Sequence, residues 1–126
     1  MISEKSTQTL ELPKILEQLT KHTTFSAGAE LARALHPTTI IDQAVTWQRE
    51  TAEARLLTEN KVNFTLGGAR DVREPAIQAT RGILIEGQVM LDIRQTLRRG
   101  TTVKRTVGRM KGSHPLLSDT ANPIEE

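Results

Sequence analysis

Residues 38–60 read TTIIDQAVTWQRETAEARLLTEN, and this stretch decides the fold class. Thr39 followed by Asp42 has the form of a capping box, with an acid in the first turn where the helix macrodipole favours it. Two adjacent apolar stripes follow at helical spacing: Ile40, Ala44, Trp47 and Ala54 beside Ile41, Val45, Ala52 and Leu56. Gln43, Arg49, Glu50 and Glu53 fall on the outer face. An apolar surface this wide predicts a helix packed against two neighbours.

Working outward, LELPKILEQLTKH (10–22) carries Ile15, Leu16 and Leu19 at helical spacing, with Pro13 suited to a first turn, so a helix is expected over about 13–22. In TTFSAGAELARALHP (23–37), Ser26 is placed to cap a helix whose apolar face is Ala27, Leu31, Ala34 and Leu35, and Pro37 stops it. Downstream, the loop VNFTLGG (62–68) precedes a short helix near 70–80 and a break at Gly82. A longer helix runs from Gly87 to Arg99 with Val89, Met90, Ile93 and Leu97 on one face. Val103, Val107 and Met110 continue the spacing with a rotation, which predicts a kink or break at Gly100. The end, KGSHPLLSDTANPIEE (111–126), is turn-rich and closes on a helix start after Pro123. The chain therefore reads as all-α, a multihelical bundle of about five helices with short loops. Residues 1–8 read as a flexible lead, 9–111 as the helical domain, and 112–126 as a tail leading into a truncated next element.

Composition narrows the function. The 126 residues amount to one domain. Phe25, Trp47 and Phe64 are the sole aromatics, which argues against a β-sandwich and against modules that stack bases on aromatic platforms. With no cysteine, disulfides, thiolate zinc sites and thiol catalysis are excluded. MISEKSTQTLELPK (1–14) lacks the apolar core of a signal peptide, and no run of apolar residues is long enough to span a membrane. A soluble, cytoplasmic protein is the expectation. The net charge of +2 is uneven, with six Lys/Arg against eight Asp/Glu over 1–60 and eleven against seven over 61–126.

Two constellations carry possible chemistry. In FTLGGARDVREP (64–75), Gly67 and Gly68 precede Arg70, Asp71 and Arg73. Such a pair suits either an anion cradle or a turn between helices. The P-loop pattern is missing, and Asp71 repels a phosphate, so the motif reads as structural, with Arg70 and Arg73 as ion-pair donors. The second constellation is basic. No acid lies between Asp92 and Asp119, a span that holds Arg94, Arg98, Arg99, Lys104, Arg105, Arg109 and Lys111. Arg94, Arg98, Arg105 and Arg109 share one face of any helix that continues through Gly100. That face is either a phosphate-neutralising stripe or a solvated surface that docks on an acidic neighbour. His22, His36 and His114 are scattered and form no metal-ligand spacing. Glu50 and Glu53 read as exposed helix charge, and Trp47 as a core or docking anchor. No catalytic residue and no metal ligand is assigned.

Several pieces resemble, in order and approximate spacing, the N-terminal region of type-two MutS proteins. They are TLELPKIL (9–16), AELARALHPTT (29–39), ETAEARLL (50–57), LGGARDVR (66–73) and GILIEGQVMLDIRQTLR (82–98). Departures are Pro75, where the family continues with an alanine-like residue, and Glu86-Gly87, where a Ser-Pro helix start is typical. The resemblance implies the helical core and the start of the lever in a DNA-acting, dimeric ATPase, part of the family being implicated in recombination control, endonuclease activity or stalled ribosomes. ATP and Mg would be held by domains outside this chain, which would itself be non-catalytic and a fragment. Its partners would be duplex or branched DNA, or the ribosome, through the parent protein, together with the rest of the same polypeptide and a second copy of it, with no membrane. The alternative is a helical protein-interaction module without nucleic-acid contact, using the apolar surface of residues 40–57.

Overall fold

Ser3 opens the first helix: its hydroxyl accepts the Ser6 N–H at 3.1 Å, and Glu4 adds an acid to the first turn. The computed structural model describes residues 2–62 and 65–125, so Phe64 and its neighbour Asn63 in the loop, and the last glutamate, lie outside the described residues. The helices are α1 (Glu4–Thr9), α2 (Leu12–Thr20), α3 (Ser26–Arg33), α4 (Ile41–Glu59), α5 (Arg73–Thr80), α6 (Gly87–Arg109) and α7 (Pro115–Ala121). Among the described residues there is no strand, and the chain is all-α. The two helices beyond the expected five are α1, which has a cap but no apolar periodicity, and α7, which lies in the turn-rich tail. The chain divides into two compact units, Met1–Gln48 and Arg49–Glu126.

In the first unit α2 packs on α1 and on α3. The side of α3 that is covered is not the predicted one. Ala32 is buried, Ala29 and Gly28 are half-buried, and Leu31 stays 73% exposed. Small residues let the two backbones approach, with Thr20 of α2 buried and its hydroxyl donating to the Glu17 carbonyl. A bidentate ion pair fastens the two helices: Arg33 Nε and its terminal nitrogen donate to the two Glu17 carboxylate oxygens at 3.1 and 3.2 Å. Phe25, not Ser26, is the N-cap of α3. At the entry to α4, the Thr38 hydroxyl takes the place expected for Thr39, accepting the Ile40 N–H at 3.1 Å and donating to Gln43. Asp42 stands in the first turn as expected.

Packing of α4 against two neighbours is not what the structure has. Within this helix Leu57 alone is buried, while Ile40 just before it and Ile41 at its start are 61% and 75% exposed. Its apolar residues are spread around the circumference rather than gathered on one face.

The second unit has its core where α7 meets α6: Val103, Val107 and Ala121 are buried, with Leu117 and Ile124 packed against them. The expected interruption at Gly100 does not break the helix, because α6 is continuous through that position. Gly100 serves close approach instead, since a Cβ there would lie 3.3 Å from Ile124 Cγ2. Among the described residues, Ile124 and Glu125 after Pro123 are not helical. The helix of the tail starts at Pro115, which needs no N–H partner in the first turn. Two other N–H groups of that turn, on Leu116 and Leu117, donate to the Glu53 carboxylate of α4 at 3.3 and 3.0 Å. Glu53 is thus a remote cap and not merely solvated charge.

Candidate nucleic-acid interface

The residues that form α6 also determine its charged face. Val89, Ile93, Val103 and Val107 hold one side toward the protein, and at about 100° per residue Arg94, Arg98, Arg105 and Arg109 fall within one sector of the other. All four arginines are exposed. From Arg94 to Arg109 is about 22 Å along the axis, at about 1.5 Å per residue. A shallow groove on the flank between the two faces is lined by Met90, Ile93 and Leu97 together with Arg94, Arg98, Thr101, Thr102 and Arg105. The hydroxyls of Thr101 and Thr102 donate back to the Leu97 and Arg98 carbonyls at 3.2 and 2.9 Å. Between the two arginine pairs, the hydroxyl hydrogens of Thr101 and Thr102 are therefore turned back on the helix.

The other basic residues go elsewhere. Lys104 Nζ donates to the Ile124 carbonyl at 2.6 Å, so it holds the C-terminal segment against α6. Arg99 is half-buried on another sector of the helix, and its guanidinium approaches the glycine turn. Lys111 is exposed in the turn after the helix. Continuity through Gly100 brings together four of the seven residues singled out from the sequence.

The glycine pair forms a turn docked on α6. Gly68 has φ of 86°, and a Cβ there would come within 2.6 Å of Gln95 Nε2. Just beyond it, Ala69 is buried, the Arg70 N–H donates to Thr96 Oγ1 at 2.9 Å, and that hydroxyl donates to the Arg70 carbonyl at 3.3 Å. Asp71 accepts the Arg73 N–H at 3.1 Å and pairs with the Arg73 guanidinium. The acid therefore serves the start of α5.

Among the described residues no group of His, Asp or Glu has the arrangement to hold a metal ion. His22 and His36 are exposed, and His114 is buried with its Nδ1 2.7 Å from Ser113 Oγ. The first unit has a broad apolar groove lined by Ile2, Leu12, Leu16, Leu35, Pro37 and Ile40. The charged pair on its wall, Glu17 and Arg33, is mutually engaged. The Arg33 hydrogen bond and charge hold the Glu17 carboxyl below its ordinary value, and Glu17 raises Arg33 in return. No helix among the described residues is long and apolar enough to cross a membrane.

Along most of its length the chain is similar to proteins named Endonuclease MutS2. It is 28% identical over 125 residues to the one from Alkaliphilus oremlandii, covering 98% of this chain and 16% of that protein. To the one from Symbiobacterium thermophilum it is 33% identical over 111 residues, covering 88% of this chain and 14% of that protein. To the one from Bacillus thuringiensis it is 32% identical over 107 residues, covering 85% and 14%. The chain thus spans between 14% and 16% of the length of these relatives. No family model and no solved structure matches it. The similarity supports the relation to MutS2 proteins that the ordered motifs imply.

Proposed function

We propose that this chain is a non-catalytic helical segment of a MutS2-like, DNA-acting ATPase. Residues 9–111 correspond on this reading to the N-terminal part of its helical core, linking the ATPase dimer to a clamp that faces DNA or the ribosome. ATP and Mg belong to other domains of the parent. The residues present here do not fit them, since there is no G-x-x-x-x-G-K-[ST] stretch and, among the described residues, no acidic cluster suited to a cation.

The observation that carries the nucleic-acid part is the exposed face of Arg94, Arg98, Arg105 and Arg109 on a single unbroken α6. Guanidinium groups on such a face neutralise phosphates and displace counterions, which gives sequence-independent, salt-sensitive binding. Titrating the chain with duplex DNA at about 50 and 200 mM salt tests this. Arg98→Glu and Arg105→Glu should each weaken binding about equally across sequences and lower the salt slope by about 1. Absence of binding, or binding indifferent to salt, would remove α6 from contact with nucleic acid.

The exposed Ile40, Ile41, Val45 and Trp47 favour a second reading, a protein-interaction module. On that reading, reversing charge on α6 changes nothing, whereas Ile41→Asp abolishes association with the parent's remaining domains.

A further inference from the structure

Resting on the nucleic-acid reading of α6, we infer that its arginines are spaced for a double helix. Arg94 and Arg98 engage one phosphate backbone, and Arg105 and Arg109 the other, across the mouth of the major groove.

Three observations lead there. The first is spacing. One turn separates the members of each pair, and the pair midpoints are eleven residues apart in the sequence, which is about 16 Å on an unbroken helix. The major groove is about 12 Å wide between its walls, so phosphate centres facing each other across it stand about 17 Å apart. The two distances agree to well within the reach of an arginine side chain. A break at Gly100 would destroy this register, and α6 is continuous through it.

The second observation is what lies between the pairs. Thr101 and Thr102 spend their hydroxyl hydrogens on helix carbonyls. The middle of the stripe therefore offers the base edges no donor, which fits a surface that grips backbones without reading sequence.

The third is the lack of a stacking platform. The face contains no aromatic residue, and aromatics supply much of the affinity of single-strand grooves. A flexible single strand also has no second backbone at a fixed distance, so the gap between the pairs gives it no advantage.

The test keeps the charge and changes the spacing. In the variant Thr101→Arg, Thr102→Arg, Arg105→Thr, Arg109→Thr, four arginines remain on the same face while the midpoints close to about 8 Å. Circular dichroism checks that α6 stays helical. Wild-type chain and variant are each titrated with a duplex of about 20 base pairs and with its single strand, across a salt series. The wild type should favour the duplex by about tenfold or more, with a log–log salt slope near −3.5 for about four phosphates. The variant should lose about tenfold on the duplex and keep its affinity for the single strand. Equal duplex binding by variant and wild type, or a wild type that prefers the single strand, overturns the spacing inference and leaves phosphate binding by α6 standing. A wild type that binds neither overturns both.

Discussion

Lys61 and Gly82 occupy equivalent positions at two helix ends. After α4, the Lys61 N–H bonds the Thr58 carbonyl and the Val62 N–H reaches back to Leu57. After α5, the Gly82 N–H bonds Ala79 and the Ile83 N–H reaches Gln78. Both ends are Schellman motifs, which need a left-handed residue, and φ is 51° at Lys61 and 76° at Gly82. Glycine adopts that conformation without a Cβ clash, whereas lysine is strained by about 1 kcal/mol. Lys61→Gly should therefore raise stability by about 1 kcal/mol, and Gly82→Ala should lower it by about as much, both read from urea denaturation. A Lys61→Gly chain less stable than the parent would show that the lysine stem packs in a way its exposure conceals. Gly82 was legible as a helix end because glycine announces that geometry, but Lys61 carries no such mark. Glu53 was equally silent, since a carboxylate one turn from Glu50 looks like solvated charge until α7 places Leu116 and Leu117 above it.

At the level of elements, α6 carries the core of the second unit together with α7. Its two glycines inside the helix should respond differently to alanine. At Gly108 an added Cβ meets nothing within 4 Å, so Gly108→Ala should stabilise by up to about 1 kcal/mol through helix propensity alone. At Gly100 the same change presses on Ile124, and the gain should shrink or vanish. A thermal-melt comparison of the two variants checks this, and equal gains would remove the close-approach role given to Gly100. The sequence made α6 visible in two halves, Val89 to Leu97 and Val103 to Met110, but not its continuity. A glycine costs an interior position only about 1 kcal/mol, less than burial of Val103 and Val107 returns. Covered faces were harder to read: for α3 the larger side chains suggested Leu31, whereas Ala32 and Gly28 permit the closer approach. The α2–α3 pair also carries a pH dependence. Glu17 has its pKa lowered below 4.5, so its contribution is present above that value and lost as pH falls through the depressed one. Arg33 is raised in return by the Glu17 hydrogen bond and charge, and its share persists at all lower pH while Glu17 stays ionised. Urea midpoints followed from about pH 7 to 3 should fall more steeply for the wild type than for Glu17→Gln. Parallel curves would mean that this exposed pair contributes nothing measurable.

For the whole molecule, the accessible surface of 9852 Å² at 14.0 kDa is the telling quantity. A globular monomer of that mass exposes about 6,700 Å², and even two separate globules sharing it about 8,000 Å². Leu84 at 95% exposed and Leu31 at 73% show where part of the excess lies. The isolated chain should therefore unfold with less than about 5 kcal/mol, at or below the lower edge of ordinary domains, as a urea titration would reveal. A value near 10 kcal/mol would show that it needs no covering partner. Periodicity revealed that these helices own apolar faces. It does not reveal whether the chain itself supplies the surface that covers them, because a stripe looks the same against any neighbour. The bond from Glu53 to the start of α7 has a bearing on how the second unit assembles. Its acceptor and its donors are separated by 63 and 64 positions, so most of the unit must be synthesised before that bond can close. Until then the first turn of α7 lacks this acceptor. The bond is thus a long-range contact, and contacts of that kind form slowly compared with the winding of any one helix.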